Sequence, residues 1–441
     1  MPQQTPSTRP RRYAVIGSGA AGCYMAEALL RGDPEARVDV IERLPTPFGL
    51  VRYGVAPDHQ GTKAVTRTLG RILENERIGF YGGIDIGRDV PLEELRRQYD
   101  ATVLATGLNR DRRLQVPGER LDGVMGSGAL ACWYNDHPLG QDFSAQVARA
   151  RNVLVIGAGN VSLDVARLLL KEADGFAHSD LSPTVQRALC RQPGRRVVIA
   201  VRRGPEHVKF SLAELKELIR ERPGGVRIDA RTHAAWADLR VDRATEGDAV
   251  LQALLSLPVA REGVADVPGQ PTVEFRFHAQ PLRFLPAADA PERVGGVVMA
   301  RSGGHATVTE TLQIDLAVSC IGYGQTNRLQ LPVIDGVVRN DAGQVDDRLY
   351  VVGWARRGAS GTIGLNRTDS HRLATRVLQE PAASGDRTGV EALLRARGLE
   401  WVDYPGWKRI DLRETEQAQE GRCRLKLRRI PELLSAAVQP R

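Results

Sequence analysis

The chain has 441 residues, of which 42% are hydrophobic and 26% charged, and its formal net charge is +8. This composition is that of an ordinary globular protein, and the length favours two domains. No apolar run approaches the length of a membrane span, and only 5% of the residues are aromatic. Neither a membrane protein nor a nucleic-acid-binding protein is therefore expected. The positive charge favours acidic partners or phosphate-bearing ligands.

The N-terminal residues and the cysteines favour a cytoplasmic protein. Residues 1–11 are polar and basic without the apolar core of a secretory signal, and we expect a short disordered leader there. The five cysteines lie far apart and form no C-x-x-C pair, so we expect no catalytic dithiol and no metal. Redox chemistry in a reducing cytoplasm would then depend on a bound cofactor.

Residues 12–22, RYAVIGSGAAG, predict a strand, a glycine turn and the start of a helix. Gly17, Gly19 and Gly22 have G-x-G-x-x-G spacing. The first glycine permits the tight turn, the second lets the backbone approach a pyrophosphate, and the third lets helix and strand pack closely. The next strand, RVDVIE, ends in Glu42, which can accept hydrogen bonds from ribose hydroxyls. This pattern predicts a first dinucleotide site.

Residues 47–59, PFGLVRYGVAPDH, follow that unit without helical or strand periodicity. Two prolines exclude a long regular element, so we expect an irregular loop. It contains the adjacent pair Asp58 and His59, and its position directly after Glu42 places it near the first dinucleotide site.

A second strand, turn and helix are predicted at 152–168, NVLVIGAGNVSLDVARL, with the small residue Ser162 at the third glycine position. The following strand, RRVVIAV, ends in Arg202 and Arg203 where the first unit has an acid. Two guanidinium groups can bind a 2′-phosphate that an acid would repel. We therefore predict FAD in the first site and NADP(H) in the second. The alternative is that the arginines only form a solvated strand end.

At this point the chain resembles the adrenodoxin reductase-like ferredoxin–NADP reductases, whose fold is of the glutathione-reductase type. The shared sequences are GSGAAG, LPTPFGLVRYGVAPDH, VIGAGNVSLDVARLLL, VRRGPEHVKFSLAELKEL and GWARRGASGTIGLNRTDS. The resemblance implies an α/β fold with two Rossmann-like dinucleotide-binding domains. An FAD domain would comprise residues 1–107 and 320–441, and an NADP domain of residues 108–319 would be inserted in it.

The resemblance also implies site residues. For FAD they are Gly17, Gly19, Ala21, Gly22, Glu42, Leu50 and Ile84, with Trp354, Gly361, Thr362 and Ile363 against the isoalloxazine. For NADP(H) they are Gly159, Asn160, Val161, Arg202, Arg203, Glu214 and Arg112. His59 is expected to pair with Asp164 beside the flavin, where the pair could orient groups, tune the flavin potential or relay protons. The alternative is a histidine that only joins the domains.

The implied function is that of an enzyme, an NADPH:ferredoxin oxidoreductase. Electrons would pass from NADPH through flavin N5, singly, to an acidic iron–sulfur ferredoxin that supplies a cytochrome P450 or another iron–sulfur-dependent system. Relatives carry a basic docking cluster in the part matching residues 236–256, which Glu246 and Asp248 interrupt here, so the docking patch is not assigned. The alternatives are an NADPH-dependent flavin monooxygenase acting on a small molecule and a non-catalytic redox-sensing protein.

Overall fold

A computed structural model describes residues 9–236, 246–260, 269–303 and 306–438. Most of the expected leader, residues 1–8, lies outside this range, and so do residues 237–245 of the region compared with the docking cluster of relatives. Among the described residues, no helix is long and apolar enough to cross a membrane.

The strands and helices below are numbered in chain order for the described residues. The strands are β1 (Arg12–Ile16), β2 (Arg37–Glu42), β3 (Ile78–Gly82), β4 (Ala101–Leu104), β5 (Arg110–Asp111), β6 (Val124–Gly126), β7 (Asn152–Ile156), β8 (Arg196–Val201), β9 (Val226–Asp229), β10 (Val259–Ala260), β11 (Thr272–Phe277), β12 (Ala279–Ala287), β13 (Ala290–Gly303), β14 (Ala306–Gln313), β15 (Leu316–Ser319), β16 (Tyr323–Gly324), β17 (Val333–Ile334), β18 (Val337–Val338), β19 (Gln344–Asp346) and β20 (Leu349–Val351). The α-helices are α1 (Ala20–Gly32), α2 (Gly49–Tyr53), α3 (Gln60–Lys63), α4 (Thr66–Leu73), α5 (Leu92–Arg96), α6 (Ser127–Tyr134), α7 (Ser144–Arg149), α8 (Asn160–Leu170), α9 (Pro183–Leu189), α10 (Leu212–Glu221), α11 (Ala230–Ala235), α12 (Glu246–Leu255), α13 (Trp354–Arg357), α14 (Ile363–Gln379), α15 (Val390–Ala396), α16 (Tyr404–Glu416) and α17 (Ile430–Ala437).

The first sheet has the order β19-β20-β4-β1-β2-β3 and is parallel except for the antiparallel pair β19–β20. Its central strands β1 and β4 are almost wholly buried because both faces of the sheet are covered. In β1, Tyr13 and Val15 pack into one hydrophobic cluster, whereas Ala14 and Ile16 pack into another.

The second sheet is formed by the middle of the chain, in the parallel order β10-β9-β11-β8-β7-β15-β6. One face, with Val153 and Val155, packs on helices, and the other, with Leu154 and Ile156, packs on the antiparallel sheet β12-β13-β14. Because the chain leaves the first sheet after β4 and returns to it with β19 and β20, the second unit is inserted in the first. The predicted fold class is confirmed.

The two crossings between the units are joined to each other. Arg110–Asp111 on the way out pairs antiparallel with Tyr323–Gly324 on the way back. The carboxylate of Asp111 also accepts hydrogen bonds from the backbone N–H groups of Gly128 (2.7 Å) and Ala129 (2.9 Å) at the start of α6. The crossings are therefore tied to the inserted unit.

The prediction of an irregular loop over residues 47–59 was wrong in part. Helix α2 begins at Gly49, after Phe48 has adopted a left-handed backbone conformation (φ +80°), and α3 begins directly after His59. Helices of five and four residues are too short to produce a detectable periodicity.

Candidate cofactor sites and interdomain cluster

In the first glycine turn, Gly17 and Gly22 are required by the packing of the protein itself, whereas Gly19 is not. Gly17 has φ +107°, and a Cβ there would lie 2.5 Å from the Ala105 carbonyl oxygen. A Cβ on Gly22 would collide with the Gly17 carbonyl, whereas one on Gly19 would have no neighbour within 4 Å. At Gly19, just before α1, the open space would let a ligand approach the protein backbone closely.

Glu42 lies at the end of β2 beside this turn, and its orientation is fixed by hydrogen bonds. Its carboxylate accepts from the Ser18 backbone N–H (2.9 Å), the Ser18 hydroxyl (2.7 Å) and the Leu44 backbone N–H (3.2 Å). The side chain is only partly buried, so the carboxylate edge that remains is available to a ribose hydroxyl.

Helix α14 brings the C-terminal candidate residues to the same turn. Ser370 Oγ donates to the Ala21 carbonyl at 3.0 Å, and Gly32 abuts Leu378 further along, so α14 and α1 run parallel. Because α14 begins at Ile363, its N-terminus extends beyond this contact by roughly 10 Å. Gly361 has φ +81°, and Thr362 caps the helix without a side-chain hydrogen bond.

The remaining candidate FAD residues, Leu50, Ile84 and Trp354, differ in how accessible their side chains are. Leu50 follows Gly49, which abuts Gly19, and its side chain is 44% exposed. Ile84 is 2% exposed within a core cluster, so only its backbone is available to a cofactor. Trp354 stacks on Tyr323 of the returning crossing, with ring centroids 5.9 Å apart and an interplanar angle of 17°.

The second glycine turn repeats this design. Gly157 (φ +139°) approaches the Cys320 carbonyl, and a Cβ added to Gly159 would have no neighbour within 4 Å. The buried Ser162 donates from Oγ to the Gly159 carbonyl at 2.5 Å. Asn160 begins α8 and accepts from the Ser211 backbone N–H at 2.8 Å. Val161 follows it and packs against the core.

Arg202 and Arg203 follow β8 and are both exposed. Neither guanidinium has an ion pair or a side-chain hydrogen bond with any residue in the described ranges, so both are free to bind an anion. Arg112 is different, because its guanidinium donates to the carbonyls of Tyr323 (3.1 Å) and Asp335 (2.8 Å). These contacts tie Arg112 to the returning crossing instead of to the second glycine turn.

His59 lies against two helices of the inserted unit. Its Nδ1 is 3.7 Å from Asp164 Oδ1 on α8, and its Nε2 is 3.4 Å from Glu217 Oε1 on α10. Glu214, one turn before Glu217, also reaches this group, since one ligand atom each of His59, Asp164 and Glu214 lies within 4.8 Å of the others. The structure thus brings together three of the residues predicted from the sequence.

Arg167 supplies the positive charge at this interdomain cluster. It donates to Asp164 at 3.0 Å and to Asp58 at 3.1 Å, and its side chain is 2% exposed. Lys171 donates to Asp58 at 2.8 Å and to Glu221 at 2.7 Å. Asp58, next to His59, is therefore held to the inserted unit by two cations, and Arg167 is shared between Asp58 and Asp164.

Sequence reasoning missed Arg167, Lys171, Glu217 and Glu221, although a signal for them exists. On α8 and just after it, the charged residues Asp164, Arg167 and Lys171 recur at positions i, i+3 and i+7. The charged residues Glu214, Glu217 and Glu221 of α10 have the same spacing. Such spacing places each set on one helix face, and the two faces meet in the cluster.

Burial and charge set the protonation behaviour of the cluster. Burial raises the pKa of Asp164 against the opposing charges of Arg167 and His59. Burial and the charge of Asp164 raise the pKa of Glu214. Burial would also raise the pKa of Asp58, but the hydrogen bonds and charges of Arg167 and Lys171 outweigh it and lower the pKa to about 2. His59 therefore lies beside two carboxyl groups, Asp164 and Glu214, whose pKa values are raised by burial, and close to a third, Asp58, whose pKa is lowered.

Comparisons with known proteins agree with this geometry. The family model described as pyridine nucleotide-disulphide oxidoreductase matches residues 11–235. Cindoxin reductase of Citrobacter braakii is 34% identical over 430 residues, covering 96% of this chain and 90% of that protein. The mitochondrial NADPH:adrenodoxin oxidoreductase of Bos taurus is 34% identical over 451 residues, covering 96% and 90%.

Among solved structures, Mycobacterium tuberculosis FprA in complex with NADPH superposes with a TM-score of 0.88 at 31% identity. The match covers 97% of this chain and 100% of that one. The chain belongs to the pyridine nucleotide-disulphide oxidoreductase family and, within it, to the adrenodoxin reductase-like ferredoxin–NADP reductases.

Proposed function

We propose that this protein is an FAD-containing NADPH:ferredoxin oxidoreductase. The observation that carries the proposal is the contrast between two otherwise similar turns. The strand that follows the first turn ends in Glu42, whose carboxylate is fixed by hydrogen bonds. The strand that follows the second turn leads into Arg202 and Arg203, which are exposed and form no ion pair with any of the described residues. A carboxylate suits ribose hydroxyls and the guanidiniums suit a 2′-phosphate, so FAD belongs in the first site and NADP(H) in the second.

Each cofactor fits residues of this chain. FAD would be held by the open space at Gly19, the carboxylate of Glu42 and the N-terminus of α14. NADPH would be held by the open space at Gly159 and by the two arginines. We assign the FAD domain to residues 1–107 and 320–441 and the NADP domain to residues 108–319, in line with the sheet order. When bound, FAD takes two electrons from NADPH and releases them one at a time.

The chain's own residues position the two cofactors and manage protons. The crossings tie the units together, and the interdomain cluster holds the loop that carries His59 against α8 and α10. With Asp164 and Glu214 at hand, His59 can hold or release a proton at Nδ1 or Nε2 while its neighbours keep the charge balanced. Leu50, which is exposed and follows the residue that abuts Gly19, would be available to contact FAD.

The electron acceptor follows from charge and from the relatives. The net charge of +8 favours an acidic partner, and two of the relatives described above are named cindoxin reductase and NADPH:adrenodoxin oxidoreductase, neither of them as a monooxygenase. We propose an acidic iron–sulfur ferredoxin that in turn supplies a cytochrome P450 or another iron–sulfur-dependent system. All five cysteines are free thiols, which agrees with a cytoplasmic location.

Steady-state electron transfer tests the proposal. The purified holoenzyme is mixed with NADPH, cytochrome c and one of a panel of ferredoxins with [2Fe–2S], [3Fe–4S] or [4Fe–4S] clusters. We expect cytochrome c reduction that depends on at least one ferredoxin and falls with added salt, because the acceptor is bound through charge. NADPH oxidation that no ferredoxin accelerates, but a small organic molecule does with matching oxygen uptake, would instead establish the monooxygenase.

A further inference from the structure

Residues 421–428, here called the strap, run between the two units without secondary structure of their own. At one end, the strap binds the inserted unit. The His178 backbone N–H donates to the Gly421 carbonyl at 2.6 Å, and the Cys423 backbone N–H donates to the Ser179 carbonyl at 2.9 Å. Arg422 also donates to the Ser179 hydroxyl at 2.7 Å.

The same strap binds the first unit through Glu414 of α16, whose side chain is fully buried. Glu414 accepts from the Leu427 backbone N–H at 3.0 Å and pairs with Arg52 of α2 at 2.6 Å. The Leu425 backbone N–H donates to the Glu414 carbonyl at 2.8 Å. The strap is thus hydrogen-bonded on both sides of the boundary between the units.

Between the two strap residues that contact Glu414, Lys426 shares one carboxylate with a second buried lysine. Asp180 of the inserted unit accepts from Lys63 of α3 at 2.8 Å and pairs with Lys426 of the strap at 2.9 Å. The exposed fractions of the three side chains are 4%, 7% and 0%. Burial and the charge of Lys426 lower the pKa of Lys63 to about 7, and Asp180 opposes this effect.

Asp180 also contacts the segment that carries His59, both before and after the histidine. Its backbone N–H donates to the Pro57 carbonyl at 3.1 Å, while its carboxylate binds Lys63. Asn135 adds two contacts, donating to the Val55 carbonyl at 3.1 Å and accepting from Lys63 at 2.8 Å. The segment that carries His59 is therefore fixed to the inserted unit both before and after the histidine.

We propose that Asp180 and Lys426 are positioning residues, which set the inserted unit and His59 in register with the first unit so that nicotinamide and flavin meet correctly. The proposal rests on the function proposed above. Neither residue is among the candidate cofactor contacts, so both act through the segment 55–63. Their loss should change the rate of flavin reduction, which is sensitive to misplacement on the scale of one ångström, and leave coenzyme affinity nearly unchanged.

The test compares Asp180→Asn and Lys426→Met with a control of matched burial. Asp229→Asn serves as that control, since Asp229 pairs with Arg301 at 2.7 Å inside the inserted unit, on strand β9 and away from the strap. Arg429→Met is a second control, because Arg429 follows the strap, is 77% exposed and pairs locally with Glu432. All are measured as FAD-loaded full-length protein.

Two readouts decide the outcome. In stopped-flow experiments at saturating NADPH, we expect Asp180→Asn and Lys426→Met to slow flavin reduction about ten- to hundredfold, with the Kd for NADP⁺ within about twofold of wild type. In amide hydrogen exchange without coenzyme, residues 55–63 should lose protection. The two controls should show neither effect, although Asp229→Asn lowers the melting temperature.

The outcomes that overturn the proposal are distinct. Unchanged reduction rates and unchanged protection of residues 55–63, in variants that are merely less thermostable, would leave the strap with a stabilising role only. If Asp180→Asn does not fold, Lys426→Met decides alone, because it removes one buried cation and leaves the pair Asp180–Lys63 intact. If NADPH does not reduce the wild-type flavin, the proposed function fails, and hydrogen exchange still decides whether the strap positions the loop.

Discussion

The Nδ1 atom of His59 lies 3.7 Å from Oδ1 of Asp164, across the boundary between the first unit and the inserted one. This distance is longer than that of a hydrogen bond. The histidine is not bound to Asp164 alone, since Glu217 approaches its other nitrogen at 3.4 Å and Arg167 shares the Asp164 carboxylate. The pair is therefore one part of a charged cluster that joins the two cofactor-binding units.

The first prediction concerns this pair. We expect His59→Ala and Asp164→Ala each to slow flavin reduction by NADPH or shift the flavin potential, with FAD retained. Because both belong to one cluster, a double-mutant cycle should give a coupling energy of about 0.5–3 kcal/mol. His371→Ala is the control, since this histidine lies on α14 with Glu27 at 3.8 Å. Additive and negligible effects would mean that His59 only joins the domains.

The second prediction concerns Asp58 and pH. Its pKa in the folded protein, about 2, lies below the unfolded value of about 3.9. The stability it contributes is therefore present above about pH 4 and lost as the pH falls from about 4 to 2. The difference corresponds to about 2–3 kcal/mol.

Urea unfolding across this pH range tests the second prediction. Asp58→Asn should be less stable than wild type at pH 7, and the gap should narrow as the pH falls below about 4. Asp347→Asn, at a carboxylate that is 82% exposed, should show no such pH-dependent gap. A difference between wild type and Asp58→Asn that is constant from pH 7 to pH 2 would contradict the assigned ion pairs.

The third prediction concerns Gly19 and Gly159, and the alanine variant of each glycine is the control for the other. Both have extended backbone conformations that alanine accepts, and a Cβ on either would touch nothing within 4 Å. Gly19→Ala should fold and purify with little FAD while wild type contains one FAD per chain. Gly159→Ala should keep its FAD and bind NADP⁺ more weakly. Cofactor content by absorbance and NADP⁺ titration distinguish them, and loss of the same cofactor in both variants would refute the assignment of two sites.

Much of this arrangement could be predicted from the sequence. In the first unit, the glycine spacing and the residue that ends the following strand lie within about thirty residues of chain, as in any strand–turn–helix unit. The cluster around Arg167 and the strap depend on contacts between residues more than a hundred positions apart, which no local periodicity reports. Arg112 was assigned by resemblance, but its guanidinium donates to the backbone carbonyls of Tyr323, on the returning crossing, and of Asp335, in the turn between β17 and β18.

The fourth prediction concerns the choice of coenzyme. Two charge-assisted contacts to a 2′-phosphate contribute about 1.5–3 kcal/mol each, so NADPH should be preferred over NADH by roughly 10²–10⁴. Replacing Arg202 and Arg203 with alanine should raise KM for NADPH and leave NADH nearly unaffected, with little change in the rate of flavin reduction at saturation. Arg231→Ala, at another exposed arginine of the inserted unit, is the control. If the double variant kept its preference for NADPH, the two arginines would only form a solvated strand end.

Electron transfer from NADPH to ferredoxin is tested most directly by an anaerobic electron count. Holoenzyme is supplied with a limiting, known amount of NADPH and an excess of the ferredoxin that supports cytochrome c reduction, and the reduced clusters are quantified by absorbance and electron paramagnetic resonance. A ferredoxin reductase should deliver about two reduced one-electron ferredoxins per NADPH consumed without oxygen. NADPH that is consumed only when oxygen is admitted, with no reduced ferredoxin formed, would contradict a ferredoxin reductase activity.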